Sequence, residues 1–492
     1  MFKKCLIKKH QILTAFFLIS FILTFLLSNV FITTKQVAFG TDVQQNQNAS
    51  LLVDKGIEHY QQGKFREAIE EWEQALTDSQ RNNNYPSQAI IRGNLARAYQ
   101  ILGDLEESIK HWDAVVNLHQ QLENPQETGR ALTELAQAYS NSGRAKKAIN
   151  ILCGEEEAEI KDKEINIKKI RRQSNCLKNS ALEISRNQKD VKGEVAALGS
   201  IGEAYRQLAK YNLAIKYLGY AKEKIDVNNL SLKSKISNSL GNVYLGKAQL
   251  WSFYTESAFK SDLPKYEQLL QEAISYYQNA WNSFDSSYQN ALEQENKSAQ
   301  MKALMNLVQV NYRSNQLNLS PNSTAQTFPL QANLDKNKSL IINDIEEVKN
   351  QSIELLNKLP DSPQKVYAAI NLANLSTDNN ITSPLTQCPT NRKLSDKEVV
   401  GLLNKAIATA NNINDSRSQS FALGATGHFH ECQNDYNQAL ELTRKALLAA
   451  DYKLQANDSL YLWEWQQARL LEKTGNQLDA VSAYERAFQT LE

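Results

Sequence analysis

The sequence predicts an all-α fold, a solenoid of stacked helical hairpins that wind into a right-handed superhelix after an N-terminal apolar helix. The first observation is a repeat: the pattern of residues 94–117 returns about 40 residues earlier and later, with equivalent turns at Gly63, Gly103 and Gly143. The second is composition, because 18 glycines and 9 prolines in 492 residues leave long stretches free to be helical. A fixed period of this kind is typical of arrays in which each hairpin buries its apolar face against its neighbours.

Small residues recur where two helices of a hairpin would cross. Ala96 and Ala136 occupy this position on first helices, and Ala68, Ser108 and Ala148 occupy it on second helices. Small side chains let two helix backbones approach, while aromatic residues three or four positions away fill the groove between hairpins.

This pattern resembles the tetratricopeptide repeat (TPR) in its large, small and aromatic positions, such as Leu95, Ala96, Tyr99, Gly103 and Trp112. The resemblance implies about eight or more degenerate TPR repeats whose first helices line a concave face. The family's repeat has about 34 residues. We expect the six extra residues of this chain to lengthen the second helix and its exit.

The N-terminal 40 residues predict an export signal peptide or a membrane anchor. Residues 1–10 are basic, residues 11–32 are almost wholly apolar, and Ala38-Phe39-Gly40 has the small-x-small pattern of a cleavage site. Both alternatives place the repeats outside the cytoplasm, in the periplasm or cell envelope. The chain would contact the membrane only through residues 11–32, and only if they are not cleaved off.

The remaining boundaries follow from composition and periodicity. Residues 41–50 are predicted to be a polar linker, 156–175 a charged insertion and 314–340 a disordered loop. TPR repeats 1–3 occupy residues 51–155, TPR-like repeats with one lengthened hairpin occupy 176–313, and C-terminal TPR-like repeats occupy 341–492. Within them, residues 176–187 are predicted to form a helix, and Ser395 with Glu398 has the spacing of a capping box.

Residues 462–492 resemble the segment that leads from TPR repeats into a CHAT domain, a caspase-like fold, in exported cyanobacterial-type proteins. Residues 193–205 and 420–428 resemble internal repeats of the same proteins. The resemblance covers only the repeat half, because the catalytic His and Cys of that family lie in the CHAT domain and have no match here. It implies a CHAT-domain protein as one class of partner.

Composition and motifs exclude several functions. The formal net charge is +1, and five lysines in the first 40 residues leave −4 for the rest, so no basic field for nucleic acid is present. No phosphate-binding loop and no His-Glu-x-x-His motif occurs. His428 and His430, near Cys432, point apart at i and i+2 of a helix, so we predict no catalytic residue, cofactor or metal.

Four cysteines follow the apolar segment. Cys153 and Cys176 flank one predicted insertion, and Cys388 and Cys432 flank another irregular stretch. Disulfides Cys153–Cys176 and Cys388–Cys432 would fasten those stretches in an oxidising compartment. Buried free thiols are the alternative, and four cysteines allow three pairings.

The predicted ligand-binding surface is the concave groove formed by the first helices. Counting from the small position of each first helix, the candidates are Arg97, Gln100, Gln137, Ser140, Glu203, Arg206, Asn242 and Leu245. The amides would pair with a peptide backbone, and Arg97 and Arg206 would clamp a carboxylate. The alternative is that these side chains only meet water.

We therefore expect a non-catalytic protein-binding scaffold that recognises a protein or peptide. The first alternative is the regulatory half of a split CHAT-type protease or secretion-associated assembly. The second is a periplasmic envelope-assembly adaptor.

Overall fold

The computed structural model describes residues 46–154, 176–226, 228–258, 263–315, 345–374, 388–389, 392, 394–454 and 457–491. The predicted signal or anchor and the charged insertion lie outside the described residues, as does the predicted loop from residue 316 onward. Within the described ranges, no helix combines the length and the apolar character needed to cross a membrane.

The described chain folds into helices joined mostly by short turns. In chain order they are α1 (Asn46–Gln61), α2 (Phe65–Arg81), α3 (Tyr85–Leu102), α4 (Leu105–Gln121), α5 (Pro125–Asn141), α6 (Ala145–Leu152), α7 (Ala181–Asn187), α8 (Val191–Gln207), α9 (Tyr211–Lys224), α10 (Leu230–Ala258), α11 (Leu263–Glu293), α12 (Lys297–Asn315), α13 (Ile345–Lys358), α14 (Pro363–Ala373), α15 (Asp396–Asn412), α16 (Ser416–Cys432), α17 (Tyr436–Leu454), α18 (Asn457–Lys473) and α19 (Gln477–Leu491).

The first three hairpins are built from a 20-residue module of one helix and one turn. A residue with positive φ ends each module, at Gly63, Asn83, Gly103, Glu123 and Gly143. The turn within a hairpin and the turn between hairpins thus have the same conformation, and the 40-residue repeat is two modules. The expectation that the second helix takes up the extra length is wrong, since α3 has 18 residues and α4 has 17.

Each of these turns closes the preceding helix in the same way. After the left-handed residue, the next N–H returns to the carbonyl five residues earlier, as from Asp104 to Tyr99 at 2.9 Å and from Asn124 to His119 at 3.0 Å. This is a Schellman motif. The residue after the left-handed one often caps the next helix, as where the Asn124 side chain accepts a hydrogen bond from the N–H of Glu127 at 3.3 Å. Ending one helix and starting the next therefore takes two or three residues.

Close packing of helices depends on residues without a bulky side chain. A Cβ atom on Gly202 would lie 2.5 Å from Leu218 Cγ, and one on Gly241 would lie 2.5 Å from the Phe284 ring. Both large side chains are fully buried. The positions assigned from sequence as small therefore place one helix backbone directly against a large side chain of its partner helix.

The chain divides into two compact units, one formed by residues 112–358 and the other by the segments on both sides of it. In the two-segment unit, hairpins from the beginning of the chain contact helices from its end. Arg66 Nε donates to the carbonyl of Asn414 at 3.2 Å, and its Nη2 donates to Ser416 Oγ at 3.3 Å. Sequence reasoning did not predict this pairing of the first and last segments.

Two boundaries differ from prediction. Helix α1 begins at Asn46, inside the predicted 41–50 linker, because polar residues extend a helix start at little cost and leave no apolar periodicity to detect. The predicted helix at 176–187 forms only from Ala181. Ser180 is its N-cap, since the hydroxyl accepts from the N–H of Glu183.

The long hairpin consists of α10 with 29 residues and α11 with 31. The helix α15 begins with the capping box formed by Ser395 and Glu398. In the predicted 314–340 loop, residues 314 and 315 are the last two of α12.

We expect Gly143→Ala and Gly401→Ala to have opposite effects, although neither new Cβ would meet another atom within 4 Å. Gly143 has φ +79°, where an L-residue is strained, so alanine should lower the local free energy of unfolding by about 1 kcal/mol. Gly401 lies inside α15, where alanine should raise it by roughly 0.5–1 kcal/mol. Native-state hydrogen exchange of α5–α6 and of α15 measures each change. Equal effects at the two positions would contradict the assigned turn.

Candidate functional site

Polar side chains line the first helices of the 112–358 unit, from α5 through α8 and α10 to α12. We call this set the first-helix polar row. It consists of Gln137, Ser140, Ser200, Glu203, Arg206, Gln207, Lys235, Asn238, Asn242, Lys302 and Asn306.

Part of the row is occupied by hydrogen bonds between successive first helices. Between α5 and α8, Gln137 Nε2 donates to Ser200 Oγ at 3.0 Å, and Ser140 Oγ donates to the Gln207 side-chain carbonyl at 3.0 Å. Between α10 and α12, Asn306 Nδ2 donates to Asn238 Oδ1 at 3.0 Å, with both residues buried. The row therefore fixes how neighbouring hairpins stack.

Glu203 and Arg206 form a buried ion pair inside α8. Arg206 Nε lies 3.0 Å from both carboxylate oxygens, Nη2 lies 2.6 Å from one of them, and each side chain is only 7% exposed. Sequence reasoning placed Arg206 in the groove as a clamp for a ligand carboxylate. The structure instead commits its guanidinium to Glu203, which is three residues earlier and so on the same helix face.

Two lysines of the row are strongly desolvated. Burial and, to a smaller extent, the charges of Lys235 and Arg206 lower the pKa of Lys302 to about 8, while the Glu203 charge opposes the shift. Burial likewise lowers the pKa of Lys235 to about 8, with Glu134 opposing the shift. Both lysines keep partial contact with solvent. An anionic or carbonyl group bound beside them would restore the solvation that the ammonium groups lose.

Two amide nitrogens of the row are buried without a hydrogen-bond partner among the described residues. They are Asn242 Nδ2, on α10, and Gln207 Nε2, on α8. Buried polar groups in folded proteins are nearly always paired, so two unpaired donors on one row call for an acceptor. With the desolvated lysines, they make the row rich in donors.

Arg97 and Gln100 lie on α3, in the two-segment unit, whereas the row lies in the 112–358 unit. Gln100 is buried and Arg97 is half-buried. Between them, Tyr99 donates to Glu73 Oε1 at 2.6 Å and stacks on His111 with ring centroids 5.5 Å apart. Burial and the charge of nearby Arg92 lower the pKa of His111 to about 4. This part of α3 therefore packs against α2 of the preceding hairpin and α4 of its own.

Sequence reasoning missed Lys235, Asn238, Lys302 and Asn306. It counted only residues that follow the small position of a first helix, whereas Lys235 and Asn238 precede Gly241. The available signal was the run of polar residues at helical spacing in the otherwise apolar and small sequence of α10.

The cysteines form two disulfides in the structure, Cys153–Cys176 and Cys388–Cys432. The first brings the end of α6 to the segment before α7, with Cα atoms 4.4 Å apart, and the N–H of Leu177 donates to the Cys153 carbonyl at 2.8 Å. The disulfide and this hydrogen bond therefore fasten the segment before α7 to the end of α6.

The second disulfide lies near a histidine. The Cys388 and Cys432 sulfurs and a His428 nitrogen lie within 4.8 Å of one another. Because the sulfurs are bonded to each other, neither is a thiolate available to a metal. His430 has a different partner, with Nδ1 3.4 Å from Asp435 Oδ2, as expected for residues i and i+2 of a helix.

A family model described as tetratricopeptide repeat matches residues 87–153. That segment contains most of the α3–α4 hairpin and the whole of α5–α6, so the match and the helical hairpins together support a TPR protein. No curated protein sequence matches the chain.

Solved structures give distant likenesses. Nearly identical TPR-like repeats from Podosopora anserina share 16% identity, with 48% of this chain and 96% of that chain covered and a TM-score of 0.31. Yeast Tom70 shares 16% identity, with 91% and 97% covered and a TM-score of 0.19. The human IFIT1 dimer with PPP-AAAA shares 14%, with 92% and 95% covered and a TM-score of 0.26. At TM-scores this low they carry no information about the ligand of this chain.

Proposed function

We propose that this protein is a non-catalytic scaffold that binds an extended protein or peptide segment along the first-helix polar row. The TPR match supports a protein-interaction scaffold in general. The observation that carries the specific proposal is the pair of unsatisfied buried donors, Asn242 Nδ2 and Gln207 Nε2, on the row that also holds the desolvated Lys235 and Lys302.

The chemistry of the row selects the ligand. Amide N–H groups and ammonium groups all donate, so the ligand must present acceptors: backbone carbonyls, and an acidic side chain or terminal carboxylate. Glu203 is neutralised by Arg206 and does not repel such a group. An extended peptide supplies acceptors at regular spacing, which suits donors spread over several helices.

The choice of test variant follows from the Glu203–Arg206 pair. Truncating Arg206 would leave a buried carboxylate without a partner, at a cost of about 3–5 kcal/mol in stability. Loss of binding in Arg206→Ala would then report unfolding as much as a lost contact. Lys302 and Asn242 are better targets because neither completes a buried ion pair.

The experiment is selection of random peptides on the full chain, followed by affinity measurement for Lys302→Gln and for Asn242→Asp. The second change turns the unpaired donor into an acceptor at nearly constant size. We expect each to weaken binding of the selected peptides at least about tenfold, or ~1.4 kcal/mol.

Lys222→Gln is the matched control, because Lys222 is an exposed lysine on the second helix α9 of the same unit. It should leave the affinity unchanged. Selected peptides that bind both row variants as tightly as the wild type would place the ligand elsewhere.

We further propose that the chain is exported and that a CHAT-domain protein is one of its partners. Support comes from the apolar segment at residues 11–32, the resemblance of residues 462–492, and two disulfides suited to an oxidising compartment. Purification from the envelope fraction of the native host should yield the chain with a new N-terminus near residue 41, or intact if the segment is an anchor, together with a CHAT-domain protein. Recovery of the chain from the cytoplasm with reduced cysteines would refute export. A purified chain that carries no CHAT-domain protein would refute that partner.

A further inference from the structure

The Cys388–Cys432 disulfide has chemical surroundings that the other disulfide lacks. His428 Nε2 lies 3.6 Å from Cys432 Sγ, and the other ring nitrogen, Nδ1, lies 2.8 Å from Glu431 Oε2. His428 is buried, Cys432 is partly buried and Cys388 is exposed. The disulfide therefore joins an exposed cysteine to one whose sulfur contacts an imidazole.

Arg469 fixes the Glu431 carboxylate that contacts the imidazole. Arg469, on α18, holds the Glu431 carboxylate with both arms of its guanidinium, Nε to Oε1 at 2.9 Å and Nη2 to Oε2 at 2.8 Å. Burial alone would raise the pKa of Glu431, but hydrogen bonds from Arg469 and His428 lower it to about 2. A permanently ionised acceptor at Nδ1 keeps a proton there and aims Nε2 at the sulfur.

Neither the end of α16 nor the Glu431–Arg469 pair favours a thiolate at Cys432. Cys432 is the last residue of α16, and the partial negative charge of a helix C-terminus disfavours an anion. The Glu431 charge is balanced by Arg469. A proton on His428 Nε2 is therefore the group in contact with Cys432 that would stabilise its thiolate.

We infer that Cys388–Cys432 is a thiol–disulfide exchange site whose substrates are small or protein-borne thiols. A substrate thiol gives its proton to His428 Nε2 as its sulfur attacks the Cys388 sulfur, the Cys388–Cys432 bond breaks, and the electron pair leaves on Cys432 as a thiolate beside that proton. A second substrate thiolate attacks the substrate sulfur of the mixed disulfide and releases the Cys388 thiolate. The cysteine pair gains two electrons, and two substrate thiols become one disulfide.

The Cys153–Cys176 disulfide is an internal reference with none of these features. Cys153 is buried and Cys176 is half-buried. The 112–358 unit that contains this pair has one histidine in its sequence, His119, which lies on α4. Exchange favours the disulfide whose leaving thiol has the lower pKa and whose sulfur is accessible.

The test equilibrates the full chain with glutathione buffers of graded ratio in the presence of a chelator, then quenches with acid and quantifies each cysteine by differential alkylation and mass spectrometry. In the wild type, the glutathione ratio that half-reduces Cys388–Cys432 should be at least about tenfold less reducing than the ratio that half-reduces Cys153–Cys176, a difference of ~30 mV. Equal midpoints would overturn the proposal without any variant.

His428→Gln should move the Cys388–Cys432 midpoint about tenfold toward that of Cys153–Cys176. His430→Gln is the matched control, since His430 pairs with Asp435 on another face, and it should change nothing. A wild-type midpoint of Cys153–Cys176 in His428→Gln is the sign that the variant is folded. If the Cys388–Cys432 midpoint of that folded variant is also unchanged, the proposal is overturned. If the Cys153–Cys176 midpoint shifts in the variant, the rates at which the two disulfides of the wild type are reduced become the test. Equal rates would contradict an exchange site at Cys388–Cys432.

Discussion

The left-handed residue that ends each helix sets the geometry of the repeats. At Gly63, Asn83, Gly103, Glu123 and Gly143 the same conformation recurs every 20 residues. Because one turn serves both within and between hairpins, the first helices α1, α3 and α5 follow one another at a constant spacing along the chain. Non-glycine residues at two of these turns carry backbone strain. The packing on either side of each turn must offset it.

Contacts between first helices give the polar row both its stability and its ligand chemistry. Hydrogen bonds such as Gln137 to Ser200 and Asn306 to Asn238 join first helices that are distant in sequence. The same geometry leaves Asn242 Nδ2 and Gln207 Nε2 unpaired and crowds Lys302 near like charges. An apolar row would stack the hairpins without unpaired amide donors or crowded ammonium charges. We therefore interpret the unpaired donors as groups that bind a ligand.

The sequence predicted what local patterns encode, including the all-helical fold, the small positions that face Leu218 and Phe284, and the lengthened hairpin. It did not predict positive φ at Asn83 or Glu123, because those residue types occur in every conformation. The Glu203–Arg206 pair was within reach, since residues three apart on a helix are neighbours. The proximity of Lys302 to Lys235 was not, because 67 residues separate them and only the stacking of α10 and α12 brings them together.

The most direct test of peptide binding along the first-helix polar row is the titration of Lys302 by competitive amine labelling over a pH series, read by mass spectrometry with and without a selected peptide. We expect Lys302 to show half-maximal reactivity near pH 8 in the free chain. When the peptide's acceptors occupy the row, Lys302 should be protected from labelling and its pKa should rise. A pKa of about 10.4, as for an ordinary lysine, or labelling unaffected by the peptide, would contradict it.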